Sequence, residues 1–397
     1  MELANIEVKK LIVIGAGTMG SGIAQTALLA GYDTTLVDVT EELVKRGAIK
    51  IKEGINKLES KGKLGGQTNT SNIMKRLKVS IDLKSAVKDA DFVIEAVSED
   101  SEIKQGVFIQ LGDYTPEHTI LASNTSTLLI SKISEFTKKP ERVIGMHFFV
   151  PPIFTGCVEL MRGNNTSDKA MEIGFKVAKS LPCFNGKRFP VRIEKETPGF
   201  IANRLLIPPL VYTNWVIDKA HEKGVPFEQI DADAGARTLM PMGPCELADY
   251  LGLDVMYKSM KIFEQILSPD ITPGKVLTTL VSQGKFGKKS GIGLYDWTSG
   301  KPDINLTKKS GLLNPEIILA IQLNEGCKLL EENIVSGYKI IDDVMVTGPG
   351  MPGPFSASKK NYVKWSQMLE TLSKEMDKIY LKPCELMKSG NFLKMRK

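Results

Sequence analysis

The amino-acid sequence predicts an α/β fold, in which a mostly parallel sheet covered by helices on both faces is followed by an all-α region. Three observations carry that expectation. Short β-branched runs alternate with amphipathic stretches over the first 190 residues, a glycine-rich turn joins the first run to the first helix, and no strand pattern returns after residue 196. At 397 residues the chain exceeds one ordinary core, so more than one domain is expected.

LIVIG (11–15), TTLVD (34–38), DFVIEAV (91–97) and TILAS (119–123) read as buried strands, because unbroken apolar runs suit strands covered on both faces. MGSGIAQTALLAG after the first and EELVKRGAIKIKEGINKLES after the second keep helical spacing. KGKLGGQTNTSN (61–72) breaks the pattern and predicts a flexible loop. In ETPGF (196–200), Thr197 before Pro198 predicts a helix start, the hydroxyl capping and the proline at the first helical position. Pro208-Pro209 must kink or interrupt that helix. GKFGKKSGIGLYDWTSGKPD (284–303) then separates two helical blocks that read as copies. GVPFEQIDADAGARTLMPMGPCELAD (224–249) and VSGYKIIDDVMVTGPGMPGPFSAS (335–358) share an Ile-Asp and a later Gly-Pro at nearly matching offsets. The expected domains are 1–193, 194–300 and 301–397, the third a divergent duplication of the second.

Hydrophobic residues at 42% and charged ones at 25% describe a soluble globular chain and exclude disorder. The net charge of +6 comes without a Lys/Arg block, so no nucleic-acid partner is expected; a small phosphate-bearing ligand suits it better. The five cysteines, at 157, 183, 245, 327 and 384, form no CxxC pair or Cys/His cluster, so neither a metal site nor a disulfide framework is expected. MELANIEVKK is no cationic leader, and no apolar run approaches the roughly 18 residues of a membrane span. The expectation is a cytoplasmic protein with no membrane partner.

GAGTMG (15–20) directly follows a strand and opens a helix. Gly15 permits the tight turn, Gly17 lets a pyrophosphate approach the backbone, and Gly20 allows close helix–strand packing. Thr18 and Met19 stand at the helix N-terminus, which attracts phosphate charge. Such a motif alone is weak, and the alternative is a tight turn that binds nothing. Here a second strand ends at Asp38, whose carboxylate suits a ribose 2′-hydroxyl and would repel a 2′-phosphate. The pattern predicts a Rossmann-like domain taking NAD rather than NADP.

VIGMHFFVPP (143–152) holds His147, one of only three histidines. Alone it reads as a hydrogen-bonded core residue, and Glu159 in CVELM as a solvated strand charge. If their flanks form an antiparallel pair centred near residue 153, the two face each other. An imidazole there would accept the hydroxyl proton as hydride leaves an alcohol carbon, and the carboxylate would orient the ring. ASNTSTLLIS (122–131) puts Asn124, Thr125 and Ser126 just past a strand's C-terminal end, where open α/β sheets bind ligands; the alternative is a helix cap. ETPGFIANRLL adds Asn203 and Arg204 to an apolar helix, as substrate or packing contacts.

GAGTMGSGIAQ, SNTS, GMHFF, VEL, ETPGFIANRLL, PMGPCELADYLGLD and GKFGKKSGIGLYDW, in that order over about residues 8–298, resemble the landmarks of the (S)-3-hydroxyacyl-CoA dehydrogenases of 3-hydroxybutyryl-CoA type. The resemblance implies an acyl-CoA substrate, NAD-dependent interconversion of 3-hydroxybutyryl-CoA and acetoacetyl-CoA, and His147 as base for oxidation with Glu159 as its partner. It implies that Ser126 and Asn203 hold the substrate's oxygens and that Glu99, Lys104 and Lys289 line the cofactor site. Lys61 would meet the CoA phosphates, although by residue type Lys61 and Lys104 read as solvated surface. Two departures stand out. Family members commonly read HFFNP where this chain has Val150, which cannot make the asparagine's hydrogen bonds. Short members dimerise through one helical domain, so a second copy predicts a monomer with an internal pseudo-dimer contact, a homodimer being the alternative. Rival readings are a β-hydroxyacid dehydrogenase acting on a free acid through a lysine base and a catalytically silent dinucleotide-binding protein.

Overall fold

A computed structural model of the chain describes residues 7–65, 69–238 and 241–397, without the side chains of residues 357 and 358. An eight-stranded sheet forms from β1 (Lys10–Ile14), β2 (Asp33–Val37), β3 (Leu77–Ser80), β4 (Phe92–Glu95), β5 (Ile120–Ser123), β6 (Val143–Phe148), β7 (Cys157–Arg162) and β8 (Phe189–Ile193). The order is β3-β2-β1-β4-β5-β6-β7-β8; β1 to β6 run parallel, β7 is antiparallel to β6, and β8 is parallel to β7. Connecting helices are α1 (Thr18–Leu29), α2 (Glu41–Ser60), α3 (Thr70–Met74), α4 (Leu83–Val87), α5 (Ser101–Tyr114), α6 (Ile130–Ser134) and α7 (Asp168–Ser180).

The expected α/β class is what forms, for the expected reasons. Leu11, Ile12, Val13 and Ile14 are all buried, as a strand covered on both faces requires, each contributing about 1.5–3 kcal/mol. In α2, Val44, Gly47, Ile51, Ile55 and Leu58 recur every three or four residues along the buried side. The Thr40 hydroxyl starts that helix by accepting from the Leu43 N–H, with Glu41 and Glu42 in the first turn. The strand order reverses between β1 and β4, which leaves a crevice beyond their C-terminal ends. The glycine turn, Glu95, the residues after Ser123 and the end of β6 all lie on that edge.

Two sequence expectations need correction. In the 61–72 stretch, residues 61–64 turn and α3 already begins at Thr70, while residues 66–68 lie outside the described residues. No helix starts at Thr197–Pro198. Gly199 (φ 80°) and Phe200 (φ 57°) are left-handed, a conformation that a right-handed helix cannot include, and helix begins at Ala202.

The chain forms two compact units, one comprising Met1–Ile201 with Asp343–Pro352, the other Ala202–Asp342 with Gly353–Lys397. Helices after residue 201 are α8 (Ala202–Leu206), α9 (Pro209–Glu222), α10 (Phe227–Asp233), α11 (Pro244–Leu251), α12 (Leu253–Ile266), α13 (Lys275–Ser282), α14 (Pro315–Glu331), α15 (Tyr338–Thr347), α16 (Pro354–Ser358), α17 (Tyr362–Glu375) and α18 (Glu385–Ser389). Pro208-Pro209 separates α8 from α9, as expected. Residues 284–303 contain no α-helix; Leu294 and Tyr295 N–H and the Trp297 indole donate to the buried Asp249 carboxylate. One arrangement occurs twice in the second unit. The Asp231 carboxylate accepts from Cys245 and Glu246 N–H at the start of α11, and Asp342 accepts from Phe355 and Ser356 N–H at the start of α16. Arg204, buried in the same unit, donates to Glu325 at 2.9 Å and Glu332 at 2.7 Å. Among the described residues no helix is long and apolar enough to cross a membrane.

Candidate active site

The antiparallel register of β6 on β7 sets His147 opposite Glu159, and residues 149–156 make the return between them. Nδ1 of His147 lies 2.8 Å from Oε2 of Glu159, with the histidine 4% exposed and the glutamate 0%. The other glutamate oxygen accepts the Ile201 N–H at 2.8 Å. That amide arrives through the left-handed turn at Gly199 and Phe200, so the strained phenylalanine serves the site. The Phe149 and Phe200 rings flank the imidazole at 4.7 and 5.2 Å between centroids. With Glu159 accepting, Nδ1 carries the hydrogen and Nε2 presents its lone pair, an arrangement suited to proton exchange. Cys157 does not compete as a nucleophile, since burial and then the Glu159 charge push its thiol well above the ordinary value.

The loop after β5 hangs from one carboxylate. Glu99 Oε1 accepts from the Thr125 hydroxyl at 2.6 Å, the Ser126 N–H at 2.8 Å, and the Thr127 N–H and hydroxyl at 3.0 and 2.9 Å. Thr125 Oγ1 also accepts from the Leu128 N–H, a contact within the loop and not the helix cap that was the alternative, since α6 begins only at Ile130 and no side chain caps it. Asn124 Oδ1 takes the Phe148 N–H at 2.9 Å and ties the loop to the end of β6. Lys104 is not solvated surface, as its residue type implied: it is 1% exposed, 2.7 Å from Glu95 and 3.4 Å from Glu99. Two carboxylates around it replace the water that an ammonium group would otherwise need.

The glycine turn fits a dinucleotide. A Cβ on Gly15 (φ 101°) would stand 2.5 Å from the Ala96 carbonyl oxygen, and one on Gly20 1.7 Å from the Gly15 oxygen. At Gly17 a Cβ would meet no atom within 4 Å, so bare backbone faces open space at the head of α1, and no side chain caps that helix. Thr18 is exposed and Met19 half-buried beside it. Asp38, just past β2, accepts from the Ala16 N–H at 2.6 Å and the Val39 N–H at 2.7 Å, which holds its carboxylate at the turn. Lys61 is exposed after α2. Asn203, on α8, and Lys289, 2.5 Å from Asp254, belong to the second unit. Val150 is 63% exposed.

Sequence reasoning missed Glu95, Phe149, Phe200 and the Ile201 amide. An acid inside the apolar run DFVIEAV was a visible signal for Glu95. No sequence signal marked a phenylalanine with positive φ.

Comparison with known proteins bears on this geometry. The description "3-hydroxyacyl-CoA dehydrogenase, NAD binding domain" matches residues 10–196, and "3-hydroxyacyl-CoA dehydrogenase, C-terminal domain" matches residues 199–297. A probable 3-hydroxybutyryl-CoA dehydrogenase of Bacillus subtilis is 37% identical over 297 residues, covering 74% of this chain and 98% of the relative. The mitochondrial hydroxyacyl-coenzyme A dehydrogenase of Sus scrofa is 36% identical over 299 residues, 74% of this chain and 92% of that one. The crystal structure of a 3-hydroxybutyryl-CoA dehydrogenase from Escherichia coli K12 aligns over 98% of this chain and 99% of its own, with TM-score 0.82 and 27% identity. Both domain matches in their expected order, on a sheet whose glycine turn fits a dinucleotide, make the chain a member of the 3-hydroxyacyl-CoA dehydrogenase family, an oxidoreductase whose cofactor is NAD.

Proposed function

We propose that the protein interconverts a short (S)-3-hydroxyacyl-CoA and its 3-oxoacyl-CoA, with 3-hydroxybutyryl-CoA and acetoacetyl-CoA as the pair of choice. The observation that carries this reading is the buried 2.8 Å contact between His147 and Glu159. Bound NAD supplies the hydride acceptor for oxidation and, when reduced, the donor for reduction. Nε2 of His147 takes the hydroxyl proton in one direction and returns it to the carbonyl oxygen in the other, while Glu159 keeps the ring in place and offsets its positive charge. Ser126 and Asn203 hold the substrate's oxygens, and Lys61 meets the CoA phosphates. Gly15, Gly17, Thr18, Met19, Gly20, Asp38, Glu99 and Lys289 hold the cofactor. Lys104 serves the same site from behind, by holding Glu99.

On this reading residues 1–193 are the NAD domain, and 194–300 and 301–397 are two copies of one helical module. The twin aspartate caps before α11 and α16 support the duplication. It makes the chain a monomer with an internal pseudo-dimer contact. All five cysteines are free thiols, which suits a reducing cytoplasm.

The test is turnover of acetoacetyl-CoA with NADH by the purified chain. His147→Ala lowers kcat by about 10²–10⁴-fold with NADH binding retained. A fully active variant would overturn the mechanism.

A further inference from the structure

Residues 343–352 belong to the first unit, although they lie past residue 297, where the family match ends. The Thr347 carbonyl, at the end of α15, accepts the Gly156 N–H at 2.9 Å and so holds the far end of the 149–156 return. Beside it, Gly348 faces Phe149. A Cβ on Gly348 would stand 2.8 Å from Cζ of that ring and 2.9 Å from Cε2, where carbon atoms pack at about 3.5–4.0 Å. The same ring touches the His147 imidazole, with centroids 4.7 Å apart.

The backbone carrying Phe149 has little room to absorb a push. The Arg188 guanidinium donates to the carbonyls of Thr155 at 2.8 Å and Pro152 at 3.0 Å, and the Thr155 hydroxyl donates to the Phe149 carbonyl at 3.0 Å. A side chain at position 348 therefore presses on the ring as well as on the Val344 carbonyl oxygen, which would lie 2.9 Å from the same Cβ.

We propose that Gly348 is a positioning residue for the dehydrogenase reaction: its missing side chain lets Phe149 settle against His147, and it lies outside the stretch that carries the family's motifs. This rests on His147 being the acid/base. Displacing the ring frees the imidazole to tilt away from Glu159, and misplacement of a reacting group by about 1 Å costs rate rather than ground-state affinity.

The test measures kcat, KM for both substrates and the pH profile of kcat on the full chain carrying Gly348→Val, Gly348→Ala, Phe149→Leu, and Phe149→Leu with Gly348→Val. Gly348→Val lowers kcat by about 10- to 100-fold and shifts the pH profile, while KM for NADH stays within about twofold. Gly348→Ala moves kcat the same way by less, and it decides the matter if the valine variant does not fold. In the Phe149→Leu background the valine costs no more than about threefold, because the smaller side chain makes room. Wild-type kcat and profile in both glycine variants, or an equal loss with and without Phe149→Leu, overturn the proposal. His147→Ala in the same assay separates the two ideas. An inactive His147→Ala beside unaltered glycine variants removes only the positioning role, whereas an active one removes the acid/base reading beneath it.

Discussion

The two oxygens of Glu159 face different demands, since Oε2 meets Nδ1 of His147 and Oε1 takes the Ile201 N–H. Glu159→Gln keeps the shape and the Ile201 contact but turns an NH₂ group toward Nδ1. Two donors then face each other, the ring flips or takes the wrong tautomer, and kcat falls by about 10²–10⁴-fold. Steady-state kcat at saturating acetoacetyl-CoA and NADH checks this; a loss of only a few-fold would mean that the pair is structural. Asp38 poses a second question at this scale. Its carboxylate is held at the glycine turn by the Ala16 and Val39 N–H groups, where a 2′-phosphate would meet like charge. The expected kcat/KM is therefore higher with NADH than with NADPH, by about tenfold or more. Equal values would remove the role given to Asp38.

Three elements meet in the pairing of Glu95 on β4, Lys104 on α5 and Glu99 between them, and Glu99 then carries the loop after β5. Burial raises the Glu99 carboxyl, but the Lys104 ammonium and hydrogen bonds from Thr125, Ser126 and Thr127 outweigh it and hold the group below its ordinary value. A depressed carboxyl contributes stability that is present above the unfolded value of 4.5 and lost as pH falls through the folded one. Glu99→Gln should therefore lower Tm at pH 7, and the gap from wild type should narrow on acidification below about pH 4.5. A gap that stays constant or widens there would rule out this account. Elements were legible where periodicity alone decides. The buried runs, α1, α2 and the break at Pro208-Pro209 stand where the sequence puts them. The start of α8 does not, because Gly199 and Phe200 answer to the Glu159 carboxylate rather than to local helix preference.

At the scale of the whole chain, the predicted boundaries and the two compact units describe different things. The predicted boundaries follow sequence spacing, in which Asp231 with Gly243-Pro244 matches Asp342 with Gly353-Pro354. Compactness follows packing, so Arg204 binds Glu325 and Glu332 across the expected division at residue 301, while residues 343–352 join the first unit. If residues 301–397 make the proposed internal pseudo-dimer contact, sedimentation equilibrium of the purified chain returns the mass of one chain across the micromolar range. A stable dimer would contradict the internal pseudo-dimer.

By itself the sequence determined the parallel sheet, the glycine turn with Asp38, and the opposition of His147 and Glu159 about residue 153. Each comes from a local period, a required backbone conformation or the arithmetic of an antiparallel return. Only the tertiary structure decided that Lys104 is buried between two carboxylates, that Phe200 sits left-handed beside the imidazole, and that Gly348 comes back to Phe149. Those contacts join residues that no repeat or spacing links, and packing density and electrostatic pairing select them only once the chain has closed on itself.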